Sequence, residues 1–354
     1  MKYNKLLRYK VNYNLLLLSP LIILLLASCS NNNNYNPFVS ESKINDNQNY
    51  SFIPEYGLYQ VIESRDKLGT IVTINAYHSE KDKLETALIS AFDEVIRIDN
   101  LLSNYKDNSE VSILNKEKII ENISEDIKFN IIKSLYYANM SNGAFDITVQ
   151  PILDLFREKF AEGGPPTRDE IDDVLKKVDY SRITISERTI VIGNNQKITL
   201  GGIAKGYIVD KVADVLISYD IKNALINAGG DIRAIGEKPN GEPWSIALSD
   251  PRNRNNYIEI IELKNQSIVT SGDYERYFDP DKRYHHIVDP RTGDSATELI
   301  SVTIIGSNTM DIDAIATAVF VLGKNQGIKF IEKNNVTGII ITNDREIIKV
   351  NNIK

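Results

Sequence analysis

Apolar residues along this chain recur at two spacings, and the switches between them divide it into elements. Alternation with a period of two predicts strands over residues 56–63 and 70–77, joined by a turn around 66–69. A helical period follows. Leu84, Leu88, Ala91, Val95 and Ile98 share one face of a helix that Ser79 would cap and that runs through Leu101. A second helix is expected over 124–139, ending at Asn142-Gly143, and a short one over 149–160. Gly163-Gly164-Pro165-Pro166 is the clearest breaker, after which Thr167 caps a helix to Val178. Short strands are expected over 182–185, 189–192 and 197–200. Ile208, Val212, Val215 and Leu216 then mark a helix. The rest is strand-rich: 224–226, 232–235, 244–248, 257–262, 267–270 and 300–305. Helices over 311–322 and 326–333 and strands over 338–342 and 346–350 complete the chain. Strands and helices mix without regular β-α-β alternation, which predicts an α+β fold rather than a doubly wound parallel sheet.

The first residues follow neither pattern. Lys2, Lys5, Arg8 and Lys10 form a basic start, and apolar runs at 15–18 and 21–26 are broken by Ser19-Pro20. The run ends in Leu26-Ala27-Ser28-Cys29, the shape of a secretory signal. It falls short of the roughly 20 apolar residues that span a bilayer. Cys29 is the only cysteine, so no intramolecular disulfide is available. Leu-Ala-Ser-Cys resembles a bacterial lipobox. That resemblance implies a lipoprotein signal over 1–28, a lipidated Cys29 as first mature residue, and a chain anchored to a cell membrane, facing the periplasm or the cell exterior. Residues 29–54, rich in Asn and Ser, are expected to be a tether, with the folded domain over 55–354. A chain of 354 residues with 42% hydrophobic composition is ample for a packed core. Its net charge of −7, with scattered Lys and Arg, argues against a nucleic-acid partner.

Four segments carry candidate chemistry. Leu200-Gly201-Gly202-Ile203-Ala204-Lys205-Gly206-Tyr207 places glycines and a lysine at a helix start, and Asn227-Ala228-Gly229-Gly230-Asp231 follows a strand. Free N–H groups at a helix start favour anions, so this reads as a phosphate-binding corner for a nucleotide or dinucleotide. It matches neither the P-loop nor the Gly-x-Gly-x-x-Gly pattern. Ala144-Phe145-Asp146, after the Ser141-Asn142-Gly143 turn, offers a ring and a carboxylate to a base or ribose; a helix C-cap at Gly143 with Phe145 in the core fits equally. His285 and His286, two of the three histidines, precede the Asp289-Pro290-Arg291-Thr292-Gly293 turn, where a general base or surface histidines both fit. Asp313 and Thr317 are four apart, on one helical face, offering hard oxygens to Mg²⁺; Thr309 as N-cap with Asp311 and Asp313 favoured by the helix dipole is the alternative. Together these suit cleavage of a pyrophosphate.

The ordered set, at 201–207, 227–231, 271–278, 286–293 and 313–317, resembles the ApbE family, the FAD:protein FMN transferases. The resemblance implies a T-fold-related α+β architecture of mixed sheets and packed helices in one catalytic unit. It also implies Mg²⁺-dependent transfer of FMN from FAD to a Ser/Thr hydroxyl of an acceptor flavoprotein, with release of AMP. Carried over, Leu68, Tyr105, Ala144, Phe145, Asp146, Thr199, Lys205 and the Ile287 N–H would contact FAD. The carbonyls of Ala204 and Ala316, with Asp313 and Thr317, would hold the metal, and His286 would be the base. Thr199 stands where the family usually has Asp and supplies no charge; Leu68 replaces a Met. Asp294-Ser295-Ala296-Thr297 lacks the glycine of the family's acceptor pattern, so the partner would be a separate exported flavoprotein, such as a subunit of a membrane redox complex. An exported FAD pyrophosphatase giving FMN and AMP, and a non-catalytic flavin-binding lipoprotein, are the competing expectations.

Overall fold

The structure, a computed structural model, describes residues 50–351 apart from Pro280. The expected signal 1–28, Cys29 and most of the tether lie outside the described residues. The described residues belong to one compact unit.

β1 (Ser51–Ile53), β2 (Leu58–Lys67) and β3 (Thr70–His78) form an antiparallel ribbon. The folded part thus starts at Ser51, inside the segment expected as tether, because Phe52 sets its ring 4.9 Å from Tyr59 across the β1–β2 pair. A largely helical insertion follows: α1 (Lys81–Leu102), α2 (Glu110–Glu117), β4 (Ile119–Glu121), α3 (Glu125–Met140), α4 (Gln150–Glu162), α5 (Arg168–Leu175), β5 (Thr184–Ile185) and β6 (Thr189–Val191). α6 (Ala204–Ser218) leads into the hairpin β7 (Asn223–Ala228) and β8 (Asp231–Ile235). Then come β9 (Trp244–Asp250), β10 (Asn253–Leu263), β11 (Ser267–Gly272), β12 (Leu299–Gly306), α7 (Thr309–Lys333), β13 (Thr337–Thr342) and β14 (Ile347–Val350). α7 breaks at Gly323, whose φ of 72° no helix holds, so the two helices expected at 311–322 and 326–333 are its two arms.

Among the described residues, nine strands make one sheet in the order β1-β2-β3-β7-β8-β11-β12-β13-β14, antiparallel at every step. Alternation gives it two apolar faces. Val269, Ile304 and Ile340 join the main core with α1, α6 and α7, while their neighbours Ile268, Ile305 and Ile339 pack on the other face under Trp244 and Leu263 of the β9–β10 hairpin. α6 and α7 therefore lie buried against the sheet, and their N-termini meet.

Two expectations need correction. Residues 197–200 form no strand: Asn115 at the end of α2 accepts from the Ile198 N–H (2.6 Å) and donates to its carbonyl (2.8 Å), doing for one residue what a neighbouring strand would do. α1 is preceded by Glu80 rather than Ser79 as its N-cap, and its start lacks a side-chain cap.

Candidate active site

The glycine corner lies where the chain turns into α6. The Thr199 N–H donates to the Ile147 carbonyl (2.8 Å), and its hydroxyl accepts from the Gly201 N–H (3.2 Å), so Thr199 braces the turn. Gly202 is tightly enclosed. A Cβ there would lie 3.1 Å from the Thr317 hydroxyl and 3.2 Å from the Phe145 ring. Three segments widely separated in sequence meet at that glycine.

The start of α6 has no side-chain cap of its own. It is capped from α7: Asp313 Oδ2 accepts from the Gly206 N–H (3.1 Å). Asp210 of α6 returns the interaction, accepting from the Thr309 (3.0 Å) and Met310 (2.9 Å) N–H groups at the start of α7. The side-chain N-cap of α7 is Asn308, not Thr309. Each helix thus supplies a carboxylate to the positive end of the other. The arrangement demands close approach, since a Cβ on Gly206 would sit 2.5 Å from the Thr309 carbonyl oxygen and 2.8 Å from the Met310 Cα.

Beside this crossing lie Lys205, Asp231 and Asp313. Lys205 Nζ is 2.9 Å from Asp231 Oδ1, an ion-pair distance, yet neither oxygen of Asp231 accepts a hydrogen bond of good angle. Asp231 is 1% exposed. Burial pushes its carboxyl up, and Lys205 only partly offsets that. Burial, then the charge of Asp231, pushes Asp313 well above the usual carboxylate range, against the opposing pull of Lys205 and the Gly206 N–H. Burial pulls Lys205 down, but Asp231 and Asp313 outweigh it and the net shift is upward.

The histidines divide by role. His285 is buried, with Nε2 2.9 Å from the Ala296 carbonyl. Nε2 therefore carries the proton, and Nδ1 accepts from the Ile287 N–H at 3.3 Å. The Ile287 N–H expected to face FAD donates to His285 Nδ1 in this structure. His286 is half-buried, and its Nδ1 lies 2.9 Å from the Arg276 carbonyl. That carbonyl needs a donor, so Nδ1 holds the proton and Nε2 presents a lone pair. Burial of the ring, helped by the charges of Arg276, His285 and Lys205 and partly opposed by the Arg276 carbonyl, lowers its pKa to about 4.

The remaining expected contacts are spread around the corner. Leu68-Gly69 is the two-residue turn between β2 and β3, and both residues have positive φ (60° and 66°). The next residue, Thr70, packs its side chain over Gly229, leaving no room for a Cβ there. Tyr105 exposes its ring on the loop after α1, beside Asn104, which donates to Gln150 (2.9 Å) at the start of α4. Ala144 and Phe145 are core residues. Asp146 is committed to the backbone: Oδ1 accepts from the Thr148 N–H and hydroxyl (2.7 Å each), and Oδ2 from the Tyr180 N–H (3.1 Å). Burial still raises its pKa to about 6. Of the two readings, the structure shows the one with Phe145 in the core, and the Ala-Phe-Asp element is a buried floor under the glycine corner.

The sequence pattern of the ApbE family matches residues 68–340. The chain belongs to the ApbE family. Among its relatives is the FAD:protein FMN transferase of Vibrio cholerae, 32% identical over 276 residues, covering 74% of this chain and 80% of that protein. That of Klebsiella pneumoniae is 35% identical over 228 residues, covering 62% and 70%. The crystal structure of the ApbE protein from Thermotoga maritima superposes with a TM-score of 0.77 at 34% identity, covering 82% of this chain and 97% of that one. The flavin transferase ApbE from Vibrio cholerae gives a TM-score of 0.73 at 27% identity, covering 83% and 98%.

In this ApbE chain the residues expected to hold a metal are all oxygen donors. Among the described residues no group of three or more His, Cys, Asp or Glu could hold one. The expected set is different in kind, with one carboxylate, one hydroxyl and two carbonyls. Asp313 and Thr317 lie one turn apart on α7, Ala316 between them, and Ala204 opens α6 directly opposite, where Gly206 meets Asp313. A buried carboxylate whose pKa is driven upward fits a cation that restores its charge, and oxygen donors suit Mg²⁺. Shape alone does not mark the site. A cavity of about 350 Å³ opens elsewhere, lined by Lys118, Asp154, Lys177 and Lys197, and none of its lining residues belongs to the site. Sequence reasoning passed over Asp210 entirely and quoted Asp231 without a role. The partner of Asp210 lies about a hundred residues downstream, and nothing local announces it.

Proposed function

We propose that this chain is the FAD:protein FMN transferase of an exported, lipid-anchored system, moving FMN from FAD to a Ser/Thr hydroxyl of a separate acceptor flavoprotein and releasing AMP. The observation that carries this is the tautomer of His286, read together with family membership. Its Nδ1 proton is fixed by the Arg276 carbonyl, which leaves Nε2 as a neutral base at working pH. Lys205, in the first turn of α6, faces the diphosphate of FAD and offsets its charge. Mg²⁺ held by Asp313, Thr317 and the carbonyls of Ala204 and Ala316 supplies charge neutralisation at that diphosphate. The acceptor oxygen bonds to the phosphorus of the FMN half while the bond from that phosphorus to the bridging oxygen breaks. The hydroxyl proton goes to His286 Nε2, and the bridging oxygen leaves with AMP. Thr199, neutral where relatives are expected to carry Asp, braces Gly201 rather than contributing charge. The buried floor of Phe145 and Asp146 keeps the glycine turn rigid under the substrate.

Intact-mass analysis of a co-expressed exported flavoprotein tests this reading. The acceptor gains the mass of one FMN only with FAD and Mg²⁺ present, and AMP appears in equal amount. AMP release without any acceptor gain would instead assign the chain to FAD hydrolysis.

A further inference from the structure

Gly229 and Gly230 form the two-residue turn between β7 and β8, with φ of 59° and 100°, and Ala228 pairs with Asp231 across it. The turn is fixed on three sides. Thr70 packs over Gly229, the Gly229 N–H donates to the Ile71 carbonyl (3.2 Å), and the Gly230 N–H donates to Asn227 Oδ1 (2.9 Å). What this turn places is Asp231, the first residue of β8 and 1% exposed. Among the described residues both its oxygens lack a hydrogen-bond partner, and Lys205 is the cation at ion-pair distance, 2.9 Å away. A buried carboxylate whose single partner is a lysine ammonium gains little stability from the pair, so its retention calls for another reason.

Lys205 has three carboxylates within electrostatic reach, Asp231, Asp313 and Glu275, with Asp231 and then Asp313 acting most strongly, and its ion pair is with Asp231. A lysine side chain is a flexible stem ending in a point charge, and it settles where a fixed counter-charge holds it. Without Asp231, Asp313 is the strongest charge left acting on the ammonium, ahead of Glu275, and an ammonium drawn to it would occupy a metal ligand. We propose that Asp231 is a positioning residue that holds the Lys205 ammonium off Asp313, aimed at the diphosphate and leaving Asp313 open to a cation. The Gly229-Gly230 turn, locked by Thr70, sets its position. This inference rests on the roles given above to Lys205 and Asp313.

The test uses the purified protein and its variants Asp231→Asn, Lys205→Ala and the double substitution. FAD affinity is followed by quenching of flavin fluorescence, affinity for Mg²⁺ alone by calorimetry, and folding by thermal melts. Asp231→Asn should weaken both affinities about tenfold, within the coupling range for residues in contact. In the Lys205→Ala background the same change should not weaken FAD binding further. Mg²⁺ affinity should recover in the double variant, because no ammonium remains to occupy Asp313. A merely structural Asp231 would give additive losses and no recovery, which overturns the proposal. If Asp231→Asn melts early, Asp231→Ser is read in its place against the same two outcomes. Loss of FAD affinity in Lys205→Ala with both affinities intact in Asp231→Asn would refute this inference alone. Unchanged FAD affinity in Lys205→Ala would refute the role of Lys205 and the inference with it.

Discussion

Gly206→Ala pits two opposite effects against each other, and the structure decides between them. Glycine inside a helix is worse than alanine by about 0.8–1.0 kcal/mol, so propensity alone predicts a more stable protein. Position 206 reverses that sign. The new methyl would meet the Thr309 carbonyl oxygen at 2.5 Å and the Met310 Cα at 2.8 Å, both backbone atoms that no rotamer change can move. Ordinary contact requires α6 and α7 to part by about 1 Å, and overpacking of this kind costs about 1–3 kcal/mol. Parting the helices also stretches the Gly206–Asp313 and Asp210–Thr309/Met310 bonds. Hydrogen bonds to charged groups are worth about 1.5–3 kcal/mol each, so losing one already exceeds the propensity gain. The net expectation is a loss of about 2–4 kcal/mol. At roughly 2–4 °C per kcal/mol, the melting temperature should fall by about 4–16 °C. The melt is run without FAD or metal, because ligands that bind the native state mask the change. Gly164→Ala is the control, since nothing lies within 4 Å of its added methyl. A Gly206→Ala protein that melts at or above the wild-type temperature would refute the argument.

Other expectations follow from the same geometry. The pKa of His286, lowered to about 4, keeps it neutral above that pH, so kcat/KM for transfer should hold from pH 7 to about 5 and its acid limb should lie near 4. A limb at 6.5 would show the ring is not buried as described. The same shift has a stability sign: between the unfolded value of about 6.5 and 4 the native state binds fewer protons, so stability falls as the pH drops through that window. His286→Ala should reduce kcat about 10²–10⁴-fold with FAD affinity retained, as quenching titrations would register. Asp313→Asn keeps an acceptor for the Gly206 N–H and removes a buried charge, so the metal-free protein should melt at or above the wild-type temperature while Mg²⁺ binding disappears from calorimetry. Leu68→Asn relieves a positive φ that Asn tolerates and should raise stability by about 0.5–1 kcal/mol in denaturant titrations.

Much of the fold was legible because its signals are local. The stripe from Leu84 to Ile98 is buried as α1, and Thr167 with Glu170 forms a full capping box at the start of α5. What escaped was held by distant partners. α2 buries only Val111 and Leu114, too few to show a period, and the stretch at 197–200 looks like a strand until Asn115 is seen to satisfy Ile198. The site divides in the same way. The glycine corner shows in composition, whereas the spacing of Asp313 and Thr317 fits helix-start chemistry too, and only the family resemblance singles them out. The spent carboxylate of Asp146 shows in neither composition nor spacing, because Tyr180 supplies a donor from thirty-four residues downstream. The tautomer of His286 depends on the carbonyl of Arg276, whose side-chain identity is irrelevant to the bond.

The mutual capping of α6 and α7 also sets an order of events during synthesis. Asp210 reaches its donors only when Thr309 and Met310 have been made, and the start of α6 waits for Asp313. Until then a nascent chain carries one buried-type carboxylate and one uncapped helix end, both of which favour water over the core. The crossing of α6 and α7 therefore cannot close before the chain has been made as far as Asp313. The order in which the two helix starts can be completed is written into which helix caps which.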